Sequence, residues 1–178
     1  MLLTRALPIL LVVLSLVACR ATPKPPLPEP EVAGGPTEDF EALRTPQVFV
    51  EPVEGPPAAP NDAVRGAFYR ELVERAYAPL RLDLEPATIP ELVGSGGVGR
   101  VRVSLSRWDR GEIRARSVII AAGEAAFVVG DRTIWESTFH DVAVRCVEPG
   151  EPRNPAKMDA RAAEGLARQV LRSLPVKR

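Results

Sequence analysis

His140 is the only histidine in this chain, so any acid–base or nucleophilic chemistry must be judged around it. A general base needs a nucleophile within reach and a carboxylate to orient it. Asp141 follows directly, but successive strand residues point to opposite faces. His140 therefore reads as a strand surface residue. Asp83, Glu85, Glu112 and Glu124 supply carboxylates that nothing pairs, and they read as solvated faces. Gly94, Gly96 and Gly99 spell G-x-G-x-x-G. A dinucleotide site needs that motif between a strand and a helix, so that phosphate meets a helix N-terminus. Here the glycines precede a β pattern, which predicts a mobile hinge instead. One histidine and two cysteines give no metal-ligand spacing. The sequence thus predicts no catalytic residues, no metal and no cofactor.

The two cysteines, Cys19 and Cys146, play different parts. Residues 1–18 open with one positive charge, Arg5, and continue as an apolar run from Ala6 to Val17 broken only by Pro8 and Ser15. The run is shorter than the roughly 20 apolar residues a membrane-spanning helix needs. Val17 between Leu16 and Ala18 also makes a poor A-x-A cleavage site. Leu16-Val17-Ala18-Cys19 resembles the lipobox of bacterial lipoproteins. That resemblance implies cleavage before Cys19, acylation of Cys19, and attachment to a membrane through the lipid. Residue 20 is Arg, not Asp, which by the same resemblance implies the outer membrane, with the body facing the periplasm. Cys146 is then alone, and its β-rich neighbours Val144 and Val147 predict burial.

Composition narrows the partners. The 178 residues carry 23 basic and 23 acidic side chains, and losing Arg5 leaves 22 against 23. A nucleic-acid surface would be clearly basic, so nucleic acid is not an expected partner. The balance also offers no polybasic lipid-binding patch.

The elements follow from periodicity. Residues 19–45, the lipidated cysteine and a Pro-rich stretch, read as an extended spacer. A single domain is expected over 46–178. Gln47–Val50 is a short strand. Asn61 or Asp62 can cap a helix over 62–77, where Val64, Phe68 and Leu72 recur at helical spacing. Leu80–Leu84 alternates as a second strand, and Ile89–Val93 suggests a helical turn. Three antiparallel strands are expected at Arg100–Trp108, about Glu112–Val129 with a bulge near Gly123, and Thr133–Val147. Ala156–Leu174 carries an apolar stripe at Ala162, Ala163, Leu166, Val170, Leu171 and Leu174, the mark of an amphipathic helix. The fold class expected is α+β, a two-layer sandwich. A mixed sheet with an antiparallel three-strand meander carries two main helices on one face. The first strand–helix–strand unit should join parallel strands by a crossover.

Trp135 and Phe139, four apart in one strand, would share one sheet face, and Ile134, Val142 and Val144 the other. One face would be filled by helices. The other would be a partner surface around Trp108, Trp135 and Phe139, unless Trp135 merely covers a sheet edge.

The helix AFYRELVERAYAPL with its Tyr77-Ala78-Pro79 ending, the strand VRVSLSRWD and the strand DRTIWESTF carry Tyr69, Tyr77, Pro79, Trp108, Asp109, Asp131 and Trp135. Over about residues 46–146 these resemble curli-secretion and polysaccharide-export accessory lipoproteins, although Gly96-Gly97-Val98 stands where that family has Ala-Asp-Ala. The resemblance implies a non-enzymatic envelope protein, some of whose relatives form rings that make or support export channels while others act as adaptors. The expected role is a membrane-anchored lipoprotein supporting envelope assembly, export or transport through protein contacts, with envelope proteins or copies of itself as partners. The other reading is a monomeric periplasmic binding module for a lipid, glycan or peptide, with an apolar pocket between sheet and helices.

Overall fold

The computed structural model describes residues 25–83 and 97–176. The apolar N-terminal segment and Cys19 lie outside the described residues. So do the turn expected at Ile89–Val93, Gly94, Gly96, and Glu85. Six strands form one mixed sheet: β1 (Glu31–Pro36), β2 (Gln47–Val50), β3 (Ala78–Pro79), β4 (Val98–Asp109), β5 (Val118–Val129) and β6 (Arg132–Arg145), in the order β1-β6-β5-β4-β2-β3. Among the described residues four α-helices accompany them, α1 (Phe40–Leu43), α2 (Asn61–Glu74), α3 (Ile113–Arg116) and α4 (Pro155–Val170), the last running into a 3-10 turn at Leu171–Ser173. The α+β sandwich read from periodicity is what forms. β4, β5 and β6 make the antiparallel meander, and β2 pairs in parallel with both β3 and β4.

α2 and α4 lie against each other and against the sheet. Between the layers, Phe68, Leu72, Phe127, Trp135, Phe139, Leu166 and Leu171 are fully buried. Burying a side chain of this size stabilises by about 1.5–3 kcal/mol, which makes this stripe-to-sheet contact the main attraction between layers. The two layers approach closely at Gly165, where a Cβ would stand 2.3 Å from Val144 Cγ1.

Several boundaries differ from the periodic reading. The fold begins at Glu31 rather than at 46. Part of the stretch read as spacer is β1, antiparallel to β6 from Glu31 opposite His140 to Pro36 opposite Trp135. Two glycines in EVAGGP hide its β character, and Gly34 at φ 116° leaves no room for a side chain, a Cβ there falling 2.3 Å from the Glu136 carbonyl oxygen. Leu80–Asp83 of the strand expected at Leu80–Leu84 do not form one, Leu84 lies outside the described residues, and the strand that forms here is Ala78–Pro79. Neither Asn61 nor Asp62 caps α2. Pro60 holds the cap position, and Asn61 Oδ1 is buried without a hydrogen-bond partner among the described residues. α4 is capped by Asn154, whose Oδ1 accepts from Lys157 N–H at 3.2 Å.

The irregularity expected near Gly123 is real but belongs to its neighbours. Leu105 and Phe139 both face Gly123, while Arg107 pairs with Ala122 and Val142 with Ala121. The extra residues therefore lie in β4 and β6, and Asp141 takes up the kink at φ 49°. This shifts the alternation of β6, so Val142 and Val144 join Trp135 and Phe139 on the buried side instead of facing away.

Candidate functional site

Trp108, Trp135 and Phe139 do not form a partner surface. Their exposures are 6%, 0% and 0%. The cause is the bulge in β6 together with the helix layer, which turn both halves of that strand inward. Trp135 Nε1 donates to Ser173 Oγ at 3.1 Å, tying β6 to the turn after α4. Trp108 Nε1 donates to Asp159 Oδ1 at 3.3 Å, and the same carboxylate receives Arg110 Nε at 3.1 Å and Nη2 at 2.8 Å. Asp159 thus fastens the β4 end to α4. These tryptophans hold the two layers together, and the volume between the layers is occupied by the core.

The residues weighed for chemistry are separated by the fold. His140 is exposed on β6 opposite Glu31. Asp141 does not orient it, because Asp141 Oδ1 accepts from Arg107 Nη1 at 2.7 Å. Cys146 is buried, and its Sγ donates to the Ser117 carbonyl at 3.3 Å. Burial pushes this thiol up from its ordinary value, with smaller opposing effects from a backbone hydrogen bond and from Arg153 and Arg161, so it is a poor nucleophile at neutral pH. Among the described residues no three His, Cys, Asp or Glu side chains gather as a metal would require.

The sheet face away from α2 and α4 is polar. Arg102 and Ser104 of β4, Glu124 of β5 and Glu136 and Thr138 of β6 line a shallow cavity of about 250 Å³ across three strands. Its rim is crossed by ion pairs. Glu51 accepts from Arg102 Nε at 3.0 Å and lies 3.5 Å from Arg100 Nη1. Arg107 reaches Asp109 and, over the small Ala122 of β5, Asp141, each at 2.7 Å. A backbone hydrogen bond from Gly111 N–H, at 2.7 Å, and the guanidinium of Arg107 hold the Asp109 carboxyl below its usual range. The alternation of Arg102 and Ser104 with Val101, Val103 and Leu105 marks this face in the sequence. Glu136 and Thr138 are harder to foresee, because the apolar Trp135 and Phe139 beside them draw attention to the wrong side. The face could bind a polar partner by hydrogen bonds and charge.

No protein-family model matches the chain, and no curated protein matches it. The fold is similar to solved structures. The PelC dodecamer from Paraburkholderia phytofirmans superposes with a TM-score of 0.56 at 14% identity, over 84% of this chain and 100% of that one. A leucine-to-methionine variant of the PelC dodecamer from the same organism gives 0.52 at 12% identity, over 84% and 99%. At such identity the likeness is one of fold.

Proposed function

We propose that this chain is a non-catalytic, lipid-anchored envelope lipoprotein that assembles with copies of itself and supports export or assembly at the outer membrane through protein contacts. The observation that carries the reading is the likeness to a protein solved as a dodecamer, which spans the whole of that neighbour's chain. The lipobox at Leu16–Cys19 supports the anchor. A non-catalytic role is supported by the buried thiol of Cys146 and by Asp141, which is bound to Arg107 rather than to His140.

Self-assembly needs a surface left uncovered within one copy. The polar sheet face is such a surface, and so is the outer edge of β1. At the opposite edge Pro79 of β3 lacks the N–H that a further strand would need, which disfavours pairing there. Rings arise when two different patches of one chain meet head to tail and the rotation closes.

The test is the native mass of the full-length, detergent-extracted protein with Cys19 intact. A defined, large oligomer is expected. A clean monomer at micromolar concentration overturns the assembly reading and favours a binding module.

A further inference from the structure

Although the chain as a whole is charge-balanced, the fold collects unpaired cations at one end of the sheet. That end is built from α3, the residues after β6 and the start of α4. Its carboxylates are committed to particular partners. Asp159 binds Arg110 at 2.8 Å, Glu112 lies 3.4 Å from Arg116, Glu148 lies 4.0 Å from Arg145, and Glu151 pairs with Arg161. Arg114, Arg153 and Lys157 are left exposed and make no close ion pair among the described residues, Lys157 adding only a weaker pull on the Glu151 carboxylate that Arg161 already holds. They belong to one patch. Arg153 Nη2 donates to the Arg114 carbonyl oxygen at 3.1 Å, and Lys157 lies four residues after Arg153, in the first turn of α4 just past the Asn154 cap.

The N-terminal chain leaves the fold at this same end. β1 runs antiparallel to β6, so the residues before Glu31 head toward Arg145. Arg116 Nη2 donates to the carbonyl oxygen of Pro25. Five residues, Arg20 to Lys24, lie between Cys19 and Pro25. Fully extended, that chain reaches at most about 20 Å, so a lipid on Cys19 holds this end of the sheet close to the bilayer.

We propose that this end is a docking surface for the anionic phospholipid headgroups of the membrane that holds the Cys19 lipid, with Arg114, Arg153 and Lys157 as its contacts. The inference rests on Cys19 being acylated. Each basic residue brought within a Debye length of an anionic leaflet strengthens attachment by roughly fivefold. A lipid fixes only the distance of the domain; a basic patch beside the attachment point also fixes which end faces the bilayer. The rest of the domain then projects away from the membrane, with the polar sheet face standing at its side.

The test uses the full-length lipoprotein, reconstituted in vesicles either of phosphatidylcholine alone or with about one third phosphatidylglycerol. Mass spectrometry of the N-terminal peptide first reports whether Cys19 is acylated. The Lys157 amine is then labelled with a water-soluble acylating reagent. Labelling several-fold slower in the phosphatidylglycerol vesicles, reversed by 0.5 M salt and weakened in an Arg114→Gln/Arg153→Gln variant, is the expected result. Both substitutions are at exposed positions, so the variant should fold, and an unchanged thermal midpoint checks this. An acylated Cys19 with equal labelling in the two vesicle types overturns the docking surface and leaves the anchor standing. An unmodified Cys19 overturns the anchor, and the docking surface with it.

Discussion

Trp135 has no exposed surface, and its indole N–H is held by Ser173. Trp135→Ala should therefore cost folding stability, about 3–5 kcal/mol from the cavity it leaves, read as a lower denaturant midpoint. Trp135→Phe keeps much of the volume and loses the hydrogen bond, a cost nearer 1–2 kcal/mol. An alanine variant with wild-type stability would mean that the site is not packed as described. Asp159 serves Trp108 and Arg110 together. Asp159→Ala should loosen both, change the tryptophan emission and lower stability by about 1–3 kcal/mol, since a partly buried indole N–H loses its acceptor. Titration makes a further prediction. Burial raises the folded-state values of both the Cys146 thiol and the Tyr77 phenol, whose O–H donates to the Pro175 carbonyl at 2.9 Å. Groups raised on folding give stability that is fully present below their unfolded values and is lost as pH rises through the folded ones. Denaturation midpoints should thus fall as pH climbs above about 8.5 and again above about 10. A thiol reagent should meanwhile modify native Cys146 far more slowly than the unfolded chain. A flat alkaline profile would contradict the burial of both groups.

At the scale of elements, the centre of the meander is set by Gly123. A Cβ there would lie 2.1 Å from the Ser104 carbonyl oxygen and 2.9 Å from the Phe139 ring, at the point where β4 and β6 both bulge. Because one of these neighbours is backbone, it cannot turn aside. Gly123→Ala should cost about 1–3 kcal/mol, measurable by thermal melting, whereas Gly35→Ala on β1 meets nothing within 4 Å and should be close to neutral. The helices are the most legible elements. α2 and α4 bury the residues their 3.6-residue spacing marks, namely Val64, Phe68 and Leu72, and Ala162, Ala163, Leu166 and Val170. Arg65 escapes that pattern. It sits among the charged residues of α2, yet its guanidinium lies 5.5 Å over the Phe49 ring and its Nε donates to the Val50 carbonyl at 2.9 Å, fixing the helix to β2. Sequence spacing shows which side of a helix is apolar, but not which cation will fold back on it.

For the whole molecule, the proposed assembly predicts a defined oligomer when the full-length protein is extracted intact with detergent. The Arg114→Gln/Arg153→Gln variant should keep that oligomer, because the basic end and the sheet face are different surfaces. Loss of assembly in that variant would place a subunit contact at the basic end. These surfaces differ in how far the sequence marks them. The resemblance of Leu16–Cys19 to a lipobox is local, a short run of residue types in order, and it needs no fold to be seen. The polar sheet face is half legible, through the alternation in β4. The expected aromatic surface is misplaced by a two-residue period carried through β6 past Asp141, where one extra residue reverses it.

The sequence by itself determined what depends on near neighbours: helix stripes, the meander and the α+β class. Period and turn chemistry act over a few residues and need no partner to be recognised. Tertiary structure alone decided what depends on distant residues meeting. EVAGGP becomes a strand only because β6 offers it an edge. Trp108 and Trp135 are interior because Asp159 and Ser173, 51 and 38 residues away, receive their N–H groups. A balanced charge count yields a basic end only because folding matches the carboxylates there with particular arginines and leaves Arg114, Arg153 and Lys157 without a close ion pair among the described residues. Which charges cancel is a matter of distances of a few ångströms, and those distances exist only in the folded chain.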